Sequence, residues 1–416
     1  MQFFCKFILI AAVFISVWTH ASERIPPSCA GILGSSDLPR YPTTGQIGHR
    51  GFPRFLKANM GENRRNLKLF ALELAGRFNV AQMSLVNSGS SANLVAAAAV
   101  RELTGGGHAI AAGFSFPTTL SSLMTSGFEV SLVDIKPGEF TIDPEAFERA
   151  IRADTKLVVV THFLGFPVDM KRIAEIASEH DIKIIQDACE TMNLNIEGRQ
   201  AHEFGDFTTW SFYHPHHLSA YGGGAVISNN LENFRLTDSI AHWGRACTCH
   251  IDPESCSAPE GMDHNFWYER VGYNLEMSEL NAAFGRFQLR SFDKQEVNRL
   301  WRYETLYNSL RDIPRVRVYT RPETGGSPFV FPITLDFGNA RDVARILKSR
   351  GVEVRSLMGG NIADHPAFRG LPHDGLVNVS SMGTRSFFVG IHQTLPRKDV
   401  VAVAKILREV LLSYVR

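Results

Sequence analysis

From Met83 onward, short apolar runs alternate with amphipathic or alanine-rich stretches, and this alternation limits the possible folds more than any other feature of the chain. Strands are expected at 83–86, 108–112, 128–134, 157–161 and 182–187, each too short and too apolar to be a surface helix. Helices are expected between them: an alanine-rich stretch ending at Leu103, then 143–153 and 169–180. Strands that alternate with helices give a mainly parallel sheet covered on both faces, an α/β fold. A long helical segment over 278–310 follows. Segments at 329–335, 340–349, 352–355 and 398–412 then suggest a smaller C-terminal α/β domain. The expected organisation is an apolar leader at 1–22, an N-terminal arm at 23–60, a large domain at 61–290 and a small domain at 291–416.

With 416 residues, 44% of them hydrophobic, the chain can bury a large core, and a net charge of +1 gives no electrostatic footprint for nucleic acid. Six cysteines are too few for a disulfide scaffold of this size. Residues 1–21 hold one lysine, an apolar run from Phe7 to Trp18 and then Thr19-His20-Ala21, which resembles a secretory signal peptide.

Three segments carry chemistry. Asn87-Ser88-Gly89-Ser90-Ser91 lies between a strand and a helix. It reads either as a cradle of backbone N–H groups and hydroxyls for a phosphate or as a plain turn with an N-cap serine. Asp187 ends a strongly apolar strand, where α/β sheets place their sites, and can pair with a pyridine nitrogen. An N-cap or turn role is the alternative. The third segment is Ser211-Phe212-Tyr213-His214-Pro215-His216-His217, followed by Gly222-Gly223-Gly224. It has the outline of a pyridoxal-phosphate loop, yet no lysine occurs between Lys183 and Lys294. Without that amine a cofactor cannot be covalently anchored, and a histidine serves only for proton transfer. On an extended chain His216 and His217 point oppositely, so the pair does not chelate a metal, and structural roles are expected for His214 and His217.

The cysteines leave several readings open: zinc ligands, a disulfide, free thiols, or a [2Fe–2S] cluster held by Cys189, Cys247, Cys249 and Cys256. If the strand ending at Asp187 continues, Cys189 faces the same side about 7 Å away, which suits electron delivery.

Together these residues resemble the DegT/DnrJ/EryC1/StrS sugar-aminotransferase superfamily of fold-type I pyridoxal-phosphate enzymes. Within it they resemble the iron–sulfur, pyridoxamine-phosphate-dependent 3-dehydrases of nucleotide-linked 4-keto-6-deoxyhexoses. The similarity runs from about Asn63 to the C-terminus. It maps Gly89, Ser90 and Ser91 onto the phosphate loop, Phe116 onto the ring that stacks on the cofactor, and Asp187 onto the pyridine partner. Ser211 falls among the cofactor-binding positions, and His216 stands where transaminating relatives carry lysine. Asn274 matches an asparagine lent to the neighbouring subunit's cofactor phosphate, which implies a homodimer. Fifty-seven residues separate Cys189 from Cys247, as in the cluster motif, but the six between Cys249 and Cys256 depart from its seven. Gly222 and Glu190 also depart from the commoner residues. The resemblance implies non-covalent pyridoxamine phosphate, His216 as base, and a flavin/iron–sulfur reductase as electron donor. It also implies a cytoplasmic enzyme, since an oxidising compartment favours disulfides over iron ligation. The rival expectations are a cluster-free dehydratase or aminotransferase-like protein of the same fold and a non-catalytic exported homologue.

Overall fold

A computed structural model describes residues 51–59, 65–228, 230–246, 258–323 and 326–415. The leader at 1–22, most of the arm, and Cys247, Cys249 and Cys256 lie outside the described residues. No described helix is long and apolar enough to cross a membrane.

The first half runs α1 (Phe52–Asn59), α2 (Arg65–Phe78), β1 (Gln82–Val86), α3 (Gly89–Thr104), β2 (Gly107–Ala112), α4 (Pro117–Thr125), β3 (Phe128–Val133), α5 (Pro144–Arg149), β4 (Thr155–Thr161), α6 (Met170–Glu179) and β5 (Lys183–Asp187). A two-stranded ribbon, β6 (Asn195–Ile196) and β7 (Arg199–Gln200), precedes β8 (Phe207–Ser211), β9 (Gly224–Ser228) and α7 (Leu231–Ala241). Seven strands form one sheet in the order β1-β9-β8-β5-β4-β2-β3. Neighbours from β3 to β8 pair in parallel, and β9 is antiparallel to both β8 and β1. The C-terminal ends of β1, β2, β4, β5 and β8 therefore share one edge of the sheet. This is the fold-type I pyridoxal-phosphate fold, and the expectation of a mainly parallel α/β sheet holds.

Burial explains the strand composition. All but the first residue of β2 and of β5 is buried, as a strand covered on both faces requires. α3 is apolar almost all round, with Ala92, Val95, Ala96, Ala97, Ala99 and Val100 fully buried, because it lies between the sheet and the outer helices α4 and α7. Ser88 caps its start by accepting the Ser91 N–H, and Gly105, at φ +76°, closes its end.

The second half runs α8 (Glu279–Leu289), α9 (Phe292–Leu310), β10 (Val316–Val318), β11 (Val330–Leu335), α10 (Ala340–Ser349), β12 (Val354–Ser356), α11 (Val377–Arg385), β13 (Ser386–Gly390) and α12 (Arg397–Val415). Its four strands form an antiparallel sheet, β10-β11-β13-β12. Leu306 and Leu310 of α9, Phe331 and Ile333 of β11, and Leu407 and Leu411 of α12 share its core.

Three expectations need correction. The helix expected over 278–310 is two helices, broken at Arg290 and Ser291. The Ser291 hydroxyl donates to the Gln288 carbonyl, a local bond that competes with helix continuation. The helix expected over 143–153 stops at Arg149, because Thr155 Oγ1 draws the Arg152 N–H into a turn at the start of β4. The strand through Asp187 does not continue to Cys189. Asp187 Oδ1 accepts the Cys189 N–H at 3.2 Å and the chain turns, so the equal-face spacing expected for the two side chains does not apply.

His162, just beyond β4, is fully buried. Its Nδ1 accepts the Val168 N–H at 3.1 Å, so the proton sits on Nε2, which donates to Gln186 Oε1 at 3.0 Å. Burial lowers its pKa to about 4. The unfolded chain takes up this proton near pH 6.5, so the neutral ring's contribution is complete above that pH and is lost as the pH falls toward 4. Between pH 7 and pH 5 the wild type should lose about 2 kcal/mol more stability than His162→Gln, measured by urea unfolding at both values.

Candidate active site

The shared sheet edge opens into a cavity of about 1290 Å³, larger than the roughly 300–1,000 Å³ of ordinary small-molecule sites. Its inner wall is made by the strand ends: Ser88, Gly89 and Ser90 after β1, Phe116 after β2, Thr161 of β4, Asp187 of β5 and Ser211 of β8. Its outer wall comes from the second sheet, through α10, β12 and β13.

Asp187 is the electrostatic centre of the inner wall. It is 4% exposed. Oδ2 accepts Asn93 Nδ2 at 2.9 Å and Thr119 Oγ1 at 2.6 Å, while Oδ1 takes the Cys189 N–H. Asn93 is itself oriented by Thr209, whose hydroxyl donates to Asn93 Oδ1 at 2.6 Å. All these donors are neutral, and no ion pair to Asp187 forms among the described residues. A buried carboxylate without a counter-charge is costly. A protonated pyridine nitrogen supplies the missing cation, and this donor set therefore fits pyridoxal or pyridoxamine phosphate.

The N-cap raised by the Ser-Gly-Ser sequence is present, and part of the loop also faces the cavity. Ser88 caps α3, and Ser91 is spent locally, its hydroxyl donating to Asn87 Oδ1 at 2.6 Å, so Ser91 does not line the cavity. Gly89 and Ser90 do line it, at the positive end of α3, with Ser90 Oγ donating to Thr118 at 2.8 Å. A Cβ on Gly89 would meet Ser211 Cβ at 2.6 Å and Cys189 Sγ at 2.9 Å. The glycine is thus needed for close packing of the loop on its neighbours. Phe116 is half exposed within the cavity wall.

The histidine loop is a turn rather than an extended chain, closed by His216 N–H to the Tyr213 carbonyl at 3.0 Å, which corrects the geometry assumed for the pair. His217 turns inward and donates Nε2–H to the Ser327 carbonyl at 2.7 Å, a structural role. His216 lines the cavity, stacks on Phe329 at 4.9 Å, and keeps a buried Nδ1 without a partner. Burial first, then the charges of Arg299 and His214, lower its pKa to about 3, so it is a neutral imidazole across the physiological range. Arg299 of α9 fastens the loop, donating to the carbonyls of Phe329 at 2.7 Å and Pro215 at 3.3 Å and to Gln393 Oε1 at 2.7 Å.

Cys189 lies in the inner wall. Burial first, then the Asp187 charge, raise its thiol pKa well above the usual value. Beside it, burial raises the Glu190 carboxyl to about 8, with one oxygen accepting the Leu164 N–H at 2.5 Å. No metal-ligating cluster occurs among the described residues, which include only one of the four candidate cysteines. Asn274 is exposed and does not line this chain's cavity; it bridges to His242 instead. Sequence reasoning did not single out Asn93, Thr119 or Arg299. Each acts through a contact more than 25 residues away; Asn93 lies in the segment 87–94 matched to the phosphate loop and Thr119 in the segment 116–119 that carries Phe116.

Comparison with known proteins agrees with this geometry. The family profile described as the DegT/DnrJ/EryC1/StrS aminotransferase family matches residues 51–408. The dTDP-4-dehydro-2,6-dideoxy-D-glucose 3-dehydratase of Saccharopolyspora spinosa is 33% identical over 79% of this chain and 76% of its own. The lipopolysaccharide biosynthesis protein RfbH of Salmonella typhimurium is 27% identical over 90% of this chain and 92% of its own. Among solved structures, the Escherichia coli GDP-4-keto-6-deoxy-D-mannose-3-dehydratase with bound hydrated PLP superposes with a TM-score of 0.76, at 24% identity, over 86% of this chain and 95% of that one. With most of its length matched by the profile, the chain belongs to the DegT/DnrJ/EryC1/StrS aminotransferase family.

Proposed function

We propose that this protein removes the C3 hydroxyl from a nucleotide-linked 4-keto-6-deoxyhexose, with pyridoxamine phosphate held non-covalently and His216 in place of a Schiff-base lysine. One observation carries the reading. The cavity is lined by a buried carboxylate with only neutral donors and by a neutral imidazole in the histidine loop, and its one lining lysine among the described residues, Lys348, belongs to α10 in the outer wall. The names of the similar 3-dehydratases point the same way.

In this reading Asp187 holds the proton on the ring nitrogen. Gly89 and Ser90 serve the phosphate from the start of α3, with Ser91 bracing the loop through Asn87 and Ser88; Phe116 and Ser211 flank the ring, and Asn274 serves the phosphate site of a second copy in a homodimer. When bound, the cofactor supplies a nucleophilic amine and an electron sink. The His216 imidazole takes the proton from the carbon that bears that amine, and also assists departure of the C3 hydroxyl.

For the electrons we propose a [2Fe–2S] cluster on Cys189, Cys247, Cys249 and Cys256, fed one electron at a time by a flavin/iron–sulfur reductase. The spacing of the cysteines and the place of Cys189 in the cavity wall support it. A cluster-free dehydratase is the second reading, favoured by the burial of Cys189 and then the Asp187 charge beside it, which oppose a thiolate. Cytoplasmic residence follows from the cluster reading, because thiolate ligation of iron needs a reducing compartment.

His216→Lys should abolish dehydration, a loss of about 10²-fold or more. It should also make the cofactor resist removal by dialysis, followed by visible absorbance. Full dehydration by this variant would remove His216 from the role of base. Cys247→Ser and Cys249→Ser should each lose iron and the absorbance it confers, while pyridoxamine phosphate still binds. Normal iron content in both variants would show that these cysteines are not ligands.

A further inference from the structure

α10 turns one apolar side inward, with Ala340, Val343 and Leu347 buried in the second core. This packing fixes which way the opposite side points. Arg341, Arg345 and Lys348 recur at intervals of four and three residues and so share one helix face. All three line the cavity, and Arg355 of β12 joins them. Their local acids are few. Arg345 pairs with Asp342 at 3.3 Å and Arg355 with Glu353 at 2.9 Å. Arg341 and Lys348 have no acidic partner among the described residues, so this wall carries two positive charges in excess, in a chain whose net charge is only +1.

We propose that Arg341, Arg345, Lys348 and Arg355 form the subsite for the diphosphate of the nucleotide-linked sugar. The inference rests on the proposed substrate class and adds where its charged group binds. A surface helix that merely needed solubility would spread its cations over convex surface; here they line the concave wall facing Asp187 and His216. From Arg341 to Lys348 the face covers seven helical steps, about 10 Å along the axis. Its long side chains can therefore converge on one doubly charged group, with arginine offering two parallel donors. The excess of two positive charges matches the charge of a diphosphate diester. Because the side chains are exposed, Arg345 at 79%, the contact is screened by salt.

The test is titration calorimetry of CDP, dTDP, GDP and UDP against the full chain, with each nucleoside as the uncharged control. At least one nucleotide should bind, its nucleoside should bind more weakly, and affinity should fall as ionic strength rises. Arg341→Gln and Lys348→Gln should each weaken that nucleotide roughly tenfold. Lys348→Arg should restore binding, and Lys398→Ala, which removes a cation outside the cavity, should leave it unchanged. Undiminished pyridoxal-phosphate uptake by the variants would show that they are folded. Wild-type binding that is indifferent to salt, or unchanged in Arg341→Gln/Lys348→Gln, overturns the subsite and leaves the nucleotide-sugar reading standing. Failure of all four nucleotides to bind the wild type overturns both.

Discussion

The buried carboxylate of Asp187 is the constraint around which the site is built. It closes β5 at the sheet edge, where four other strands also end, and its oxygens are occupied by Asn93 from α3, Thr119 from α4 and the backbone of Cys189. These contacts tie two helices and a turn to one charged group that has no cation of its own among the described residues. Removing any one of them leaves a buried charge less solvated, at a cost of about 1–3 kcal/mol. Both the tight loop at Gly89 and the placing of Ser211 follow from the crowding there.

Arg299 does for the second sheet what Asp187 does for the first. It is buried in α9 and reaches Pro215 in the histidine loop, Phe329 before β11 and Gln393 after β13. The position of His216 therefore depends on the packing of both sheets. The same guanidinium helps to keep that imidazole neutral, with burial the larger cause. An imidazole is unable to form an imine, so the loop's chemistry differs in kind from that of a lysine.

Much of this was legible in the sequence, and for physical reasons. Strands buried on both faces are nearly continuous apolar runs, so β2, β4 and β5 stood out, edge strand β3 showed as an alternating run, and Asp187 was conspicuous as a charge at the end of β5. β8 was hidden because Thr208 and Thr209 are buried polar residues, Thr209 in service to Asn93. The break at Ser291 was hidden because a serine hydroxyl ends a helix only where its carbonyl partner is near. Arg299 carries no signal in the sequence. Its partners lie 30, 84 and 94 residues away, which no local pattern reveals. The turn that carries His216 likewise depends on tertiary contacts.

The central claim is that this cavity holds a pyridoxal-type cofactor without a covalent bond. The most direct measurement is intact-protein mass spectrometry after loading with pyridoxal phosphate and reduction with borohydride, beside absorbance titration of the same sample. The account predicts saturable binding by absorbance and an unmodified chain mass after reduction. A stoichiometric cofactor adduct mapped to a lysine lining the cavity would contradict it.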